Sequence, residues 1–445
     1  MKGDVRIKPV KGLNGEIKVP GDKSVSHRAV IFGSMASGES KVTNFLFSDD
    51  TKCTIEIMEA LGAVIKISND ENGDGSLLIT GVGRDGFREP VKILDCKNSG
   101  TTMRLMMGVL AKEDFFSILV GDASLSKRPM GRVTGPLIKM GANIMGRGGT
   151  DGVDASFAPI AIRGGNLTGI RYDMPVSSAQ IKSALLLAGM GAVGKTQIAD
   201  PGMSRDHTER MMRYFGIPIS NEDGYITVEH CDLFDGRDID VVGDISSATF
   251  FIVGALITEK SDLLITSVGL NPGRSGAIDA LLKMGADIEI LNEREVSGEP
   301  AGDIRVKSSN LKGIKITGDL IPPMIDEVPA LAVAAAYADG ETVITGAGEL
   351  RVKESDRIMT TAENLRSMGA LVTELEDGLV IVGGNPTGGA KKPEGGKAKS
   401  FGDHRAAMAA AVFGLSSRSG VTVSDADCVG VSFPGFFDML NKVSV

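Results

Sequence analysis

Residues 58–67 read MEALGAVIKI, and variants of that phrase return as LIKMGANIMG (137–146), MMRYFGIPIS (211–220), LLKMGADIEI (281–290) and LRSMGALVTE (365–374). Each runs off the apolar end of a helix, through a glycine, into a strand-like stretch. Glycine suits the residue just past a helix because positive φ costs it nothing. The five glycines, Gly62, Gly141, Gly216, Gly285 and Gly369, lie 79, 75, 69 and 84 residues apart. A sixth helix, FFDMLNKV (436–443), comes one more step on without its strand. Upstream, SDDTKCTIEIMEALG (48–62), SRDHTERMMRYFG (204–216), NPGRSGAIDALLKMG (271–285) and VKESDRIMTTAENLRSMG (352–369) all pass from a charged turn into an amphipathic helix, with Asp or Ser as the expected N-cap. SLLITGVG, GYITVEH and GLVIVGG supply the β runs.

The unit is therefore a mixed α/β module of roughly 70–80 residues, used six times. Such modules group most simply as three and three, with a boundary at Gly243, where DVVGDISSATFFIVGALI opens a fresh helix start. Residues 1–20 precede the first helical unit and fit either half. Two ordinary doubly wound sheets are the competing architecture.

Composition excludes several classes. With 42% hydrophobic and 24% charged residues over 445, the chain is that of an ordinary globular protein. A net charge of −9 and 4% aromatics offer nucleic acid neither field nor stacking surface, so any anion site must be local. MKGDVRIKPVKG has no apolar run of the kind a secretory signal needs, and no stretch reaches the length of a membrane span, so a soluble cytoplasmic chain is expected. Cys53, Cys96, Cys231 and Cys428 form no CxxC, and the four histidines no HExxH, so no metal or redox site is expected.

The charged turns carry the chemistry. PGDKSVSHRA (20–29) places Lys23, Ser24 and Arg28 at a helix start, where backbone N–H groups and the dipole favour anions. NSGTTMR (98–104) adds Gly100 and Arg104, GDASLSKRPMGR Lys127, Arg128 and Arg132, ELRVKESDR Arg351, Lys353 and Arg357, and GDHRAAM Arg405. PVSSAQIKSALLLAG (175–189) offers Ser177, Ser178 and Gln180 as uncharged donors suited to phosphate oxygens. Taken alone, each turn also reads as a capped, solvated helix start. Asp326, on the turn before an apolar helix, and Glu354, between Lys353 and Arg357, are candidate proton carriers; the alternatives are an N-cap for Asp326 and an ion pair for Glu354.

In this order and spacing the motifs strongly resemble the 5-enolpyruvylshikimate-3-phosphate synthase family, over essentially the whole chain. The resemblance implies an enolpyruvyl transferase-like inside-out α/β barrel fold, α+β mixed: two domains of three repeated βαβαββ units, residues 1–20 plus 243–445 forming one and 21–242 the other, closing on their substrates. It implies transfer of the enolpyruvyl group of phosphoenolpyruvate to the 5-hydroxyl of shikimate 3-phosphate, with release of phosphate, in aromatic amino acid biosynthesis. By motif, Lys23, Ser24, Arg28, Ser178, Gln180, Ser204, Asp326 and Lys353 meet shikimate 3-phosphate, while Lys23, Gly100, Arg128, Gln180, Arg357 and Arg405 meet phosphoenolpyruvate. Asp326 takes the 5-hydroxyl proton, Glu354 handles the proton at the methylene carbon, and Lys23 counts with the catalytic set. No cofactor and a monomer are implied.

One position departs from the pattern: Val431 stands where many relatives carry Lys, two residues before Phe433-Pro434, which predicts weaker phosphoenolpyruvate binding. Gly100 keeps the small residue of glyphosate-sensitive members. Residues 383–402, rich in Gly, Lys and Pro, read as a mobile loop. Two alternatives stand beside this reading. The sister enzyme acting on UDP-N-acetylglucosamine shares the fold, but its loop usually bears a Cys that GDASLSKRPMG lacks. A non-catalytic sensor of phosphorylated anions would gain nothing from Asp326 and Glu354.

Overall fold

In the computed structural model, residues 3–69, 75–83, 86–148, 157–202, 204–384 and 392–445 are described. The five phrase glycines all take positive φ, from +77° at Gly216 to +120° at Gly62, so the repeated sequence phrase is a repeated turn. The chain forms two compact units, one of Gly21–Val242 with Glu295–Glu299, the other of Met1–Pro20, Gly243–Arg294 and Pro300–Val445.

The unit built on residues 21–242 holds α1 (Lys23–Met35), α2 (Asp49–Ala60), α3 (Gly100–Leu110), α4 (Gly131–Lys139), α5 (Ala179–Gly189) and α6 (His207–Tyr214). Its middle repeat shows the plan. Leu94–Asp95 runs parallel to Phe116–Val120 across α3, and after α4 a hairpin of Asn143–Arg147 and Phe157–Arg163 adds antiparallel strands to the same sheet. The order along the chain is thus βαβαββ. Arg171–Asp173, Thr196–Ala199, Ile219–Glu222 and Tyr225–Val228 repeat it around α5 and α6. In the first repeat the parallel edge strand is Ile239–Asp240, returned from the far end of the unit to lie beside Ser37–Thr43.

The other unit holds α7 (Ile245–Ile257), α8 (Gly276–Lys283), α9 (Val328–Tyr337), α10 (Arg357–Ser367), α11 (His404–Ser416) and α12 (Phe436–Val443). Asn14–Lys18 opens its first repeat by pairing with Asp262–Gly269, and Lys315–Ile316 with Gly340–Ile344 its second. The third has Gly396–Lys399 beside Val421–Ser424, and the strand that α12 lacks is supplied by Val5–Ile7. Residues 383–402 are accordingly not all loop: they contain the strand Gly396–Lys399, while 385–391 lie outside the described residues.

Helices apolar around their whole circumference must be surrounded by protein. In α1 every residue from Val25 to Met35 is buried, in α7 every one from Ile245 to Leu256, and in α11 every one without exception. α7, α9 and α11 pack on one another. α1 follows the parallel strand Asn14–Lys18 and α11 the parallel strand Gly396–Lys399, so their polar starts lie just past strand ends. Among the described residues no helix is long and apolar enough to cross a membrane.

Candidate active site

The polar turns close on N-caps. Asp22 Oδ1 accepts from Val25 N at 2.9 Å, Ser99 Oγ from Thr102 N at 3.2 Å, Ser178 Oγ from Ile181 N at 3.5 Å, and Asp403 Oδ1 from Arg405 N at 2.9 Å. A cap of this kind satisfies one donor and leaves the positive end of the helix to act on what lies beyond.

In the unit of residues 21–242, α1 contributes Lys23, whose Nζ is 3.1 Å from Asp50 Oδ2, and Arg28. Arg28 is only 3% exposed; its Nε donates to Thr208 Oγ1 and its Nη2 to Ser183 Oγ, both at 2.6 Å, and its Nη1 to the Ser24 carbonyl at 2.9 Å. Burial lowers its pKa to about 10 although Glu209, Asp22 and Glu299 oppose the fall, and neighbouring Arg205 adds to it. The guanidinium is thus held rigid by neutral hydroxyls. From α3, Arg104 Nη1 donates to Gln180 Oε1 at 2.6 Å, and Gln180 Nε2 donates to Thr101 Oγ1 at 2.9 Å, so two motifs far apart in sequence share one cluster. Arg128 Nη2 reaches Asn98 Oδ1 at 2.7 Å. A Cβ on Gly100 would stand 2.9 Å from Arg104 Nη1 and 3.5 Å from Arg128 Nη1, which puts both cations over the bare helix start.

Ser204 behaves differently from a simple donor. Its N–H, at 2.9 Å, and its hydroxyl both go to Asp200 Oδ2, while its carbonyl accepts from Lys182 Nζ at 3.0 Å. Lys182, 2% exposed, also lies 3.2 Å from Asp200 Oδ2 and 2.7 Å from Glu209 Oε1. Burial works against ionisation of Asp200, yet the Ser204 hydroxyl and the Lys182 ammonium hold it below the usual carboxylate range. This buried triad was missed from sequence, since Lys182 sits inside an apolar helical pattern with no charged neighbour to flag it.

The other unit gathers Asp326, Lys353, Glu354, Arg357 and Arg405. Asp326 is the last residue but one of a 3-10 turn, Pro322–Glu327, that runs straight into α9, and Glu327 at the N-cap makes no side-chain capping bond. Asp326 Oδ1 lies 3.1 Å from Arg357 Nη1 and 3.8 Å from Lys353 Nζ. Arg357 Nη2 meets Glu354 Oε2 at 2.6 Å and its Nε meets Asp403 Oδ2 at 2.8 Å, so one buried guanidinium faces three carboxylates. Burial alone would lower the Arg357 pKa, but Glu354, Asp403 and Asp326 raise it. Asp403 is driven the other way: Arg357 and His404 outweigh burial and hold it below the ordinary aspartate value. Arg405 Nη1 donates to the Asp326 carbonyl at 2.8 Å and lies 3.5 Å from Glu327 Oε1, which fixes the base candidate's backbone to a cation. Among the described residues no group of three or more His, Cys, Asp or Glu could hold a metal ion.

Residues 7–440 match the family model described as EPSP synthase (3-phosphoshikimate 1-carboxyvinyltransferase). The chain belongs to the EPSP synthase family. It is 52% identical over 440 residues to the 3-phosphoshikimate 1-carboxyvinyltransferase of Desulforudis audaxviator, covering 99% of both chains, and 50% identical over 438 residues to that of Geobacter metallireducens, covering 98% of both. An EPSP synthase structure from Acinetobacter baumannii superposes with a TM-score of 0.86 at 44% identity, over 99% of this chain and 97% of that one. The fold is accordingly the two-domain inside-out α/β fold of EPSP synthase. As a member of this family the chain is a transferase that catalyses the enolpyruvyl transfer of the shikimate pathway, with phosphoenolpyruvate and shikimate 3-phosphate as its substrates.

Proposed function

We propose that shikimate 3-phosphate is held by Lys23, Ser24, Arg28, Ser178, Gln180, Ser204, Asp326 and Lys353, and phosphoenolpyruvate by Lys23, Gly100, Arg128, Gln180, Arg357 and Arg405. Two phosphates and two carboxylates repel one another, so the substrates need cations already in place. Arg28, locked by Thr208, Ser183 and Ser24, meets that need at little ordering cost. Ser204 gives its hydroxyl hydrogen to Asp200, so it would meet the substrate by exchanging that bond for one to a substrate oxygen.

Asp326 takes the proton of the 5-hydroxyl as the oxygen attacks C2 of phosphoenolpyruvate. Glu354 delivers a proton to the methylene carbon, and phosphate then leaves the tetrahedral adduct as the methyl group gives its proton back. The observation that carries this reading is Arg357 facing Asp326, Glu354 and Asp403 together. A pure anion receptor would not fill its guanidinium with carboxylates. Asp403 is fully buried and Glu354 about a third exposed, so an incoming substrate anion would displace Glu354 rather than Asp403. The protein is read further as a cytoplasmic monomer, each compact unit being one enolpyruvyl transferase domain, which sedimentation at working concentration checks for the monomer. The assignment is tested by phosphate release with shikimate 3-phosphate, run beside UDP-N-acetylglucosamine, for wild type and Asp326→Asn. Binding retained with turnover lost supports it; binding lost instead revives the sensor.

A further inference from the structure

Behind the starts of α1 and α3 the polar groups of His27, Thr54, Thr102 and Ser99 form a buried chain. Lys23 and His27 lie four residues apart on α1, Asp50 and Thr54 four apart on α2, so each pair shares a helix face. The faces meet: Lys23 Nζ is 3.1 Å from Asp50 Oδ2, and His27 Nδ1 is 2.8 Å from Thr54 Oγ1. Thr54 Oγ1 is in turn 2.7 Å from Thr102 Oγ1 on α3, and Thr102 Oγ1 donates at 2.8 Å to Ser99 Oγ, the cap of that helix. His27, Thr54 and Thr102 are 0% exposed and Ser99 1%. Oriented head to tail from His27 Nδ1–H, each threonine hydroxyl takes one hydrogen and gives one, and His27 Nε2 keeps only a lone pair, in accord with its having no hydrogen-bond partner. Burial lowers the His27 pKa to about 3, so the ring stays neutral near pH 7.

Buried polar groups cost stability unless every one is bonded, and valine would fill the Thr54 site at least as well. Apolar packing tolerates small slides and rotations of one helix on another; a run of three directional bonds does not. We infer that Thr54 is a positioning residue that fixes the start of α1, with Lys23, Ser24 and Arg28, against the start of α3, with Gly100 and Arg104. The inference rests on the reading that those groups bind the substrates.

Steady-state kinetics of Thr54→Val with phosphoenolpyruvate and shikimate 3-phosphate should show the Michaelis constant for phosphoenolpyruvate raised about fivefold or more, with kcat changed less than about twofold. Thr54→Ser, which restores the hydroxyl, should return it to near wild type. Thr258→Val is the control: its hydroxyl is also buried, bonded to the Gly254 carbonyl and to Ser261, but in the other unit, so it should lower stability and leave the Michaelis constants alone. Should Thr54→Val not accumulate folded, Thr102→Val removes the other end of the same bond and must give the same split. Amide hydrogen exchange without substrate reads the brace independently of the assigned reaction: Thr54→Val should speed exchange at residues 24–28 and 100–104 together. Unchanged Michaelis constants, an equal shift in Thr258→Val, or exchange unaltered at both helix starts would overturn the inference. A wild type that turns over neither substrate would instead strike the functional assignment, with exchange still deciding on Thr54.

Discussion

Replacing Gly100 by alanine adds one methyl group at the point where two arginines converge. The new Cβ would stand 2.9 Å from Arg104 Nη1, whereas ordinary contact begins near 3.4 Å, so the guanidinium must retreat by about 0.5 Å. That nitrogen donates to Gln180 Oε1 at 2.6 Å, and Gln180 continues to Thr101, so the retreat disturbs the whole cluster. A hydrogen bond to a charged group is worth about 1.5–3 kcal/mol net, and weakening rather than losing it costs about 1 kcal/mol. If the cluster binds phosphoenolpyruvate, its Michaelis constant rises about fivefold. Stability stays nearly level, because the weakened Arg104–Gln180 bond costs about 1 kcal/mol while alanine restricts the unfolded chain, a gain of about 0.4–1 kcal/mol, and Gly100 does not need positive φ. The assay pairs steady-state kinetics with thermal melting of the same preparation. A raised Michaelis constant with an unchanged or higher Tm bears the reasoning out. An unchanged Michaelis constant, or one that rises only with a fall in Tm, refutes it.

Three further outcomes are expected. His27 is held neutral with a pKa near 3, whereas the unfolded chain takes up its proton near pH 6.5; the unfolded state therefore binds more protons below that value, and stability falls by about 2 kcal/mol between pH 8 and pH 5. Urea titrations should find this slope absent in His27→Asn, whatever that variant loses at pH 8. Lys182→Met strands the buried Asp200 and Glu209 carboxylates and should cost about 3–5 kcal/mol by urea denaturation, part of it regained in Lys182→Met/Glu209→Leu. Val431, partly exposed at the end of the Ala426–Val431 turn, should on replacement by Lys lower the phosphoenolpyruvate Michaelis constant about threefold or more, a constant unchanged or higher counting against the assignment.

The repeat was legible because one turn dictates one residue. Positive φ after a helix selects glycine, so Gly62, Gly141, Gly216, Gly285 and Gly369 mark the phrase whatever their neighbours. Caps were legible for the same local reason, as at Asp22, Ser99, Ser178 and Asp403. The closing of the sixth repeat by Val5–Ile7 was not, since strand pairing across more than 400 residues leaves no local mark. Within the candidate site, motifs announced Arg28, Arg128, Arg357 and Arg405, but not what holds them. Asp326 could have been a helix cap on sequence alone; its pairing with Arg357 depends on where the turn before α9 delivers it. Lys182, inside an apolar helix, and Thr54, inside an amphipathic one, were hidden for a different reason, because a lone polar residue in a helix looks like solvated surface until its partners elsewhere in the chain are seen.

Asp326 and its cationic neighbours are proposed to carry out enolpyruvyl transfer rather than merely to hold anions. The most direct measurement is phosphate release from phosphoenolpyruvate with shikimate 3-phosphate, and with UDP-N-acetylglucosamine in its place, for wild type and Asp326→Asn, with shikimate 3-phosphate binding followed in both proteins. Release is expected with shikimate 3-phosphate alone, lost at least about a hundredfold in Asp326→Asn while binding persists. Release with the nucleotide sugar, or an Asp326→Asn variant that turns over like wild type, would contradict it.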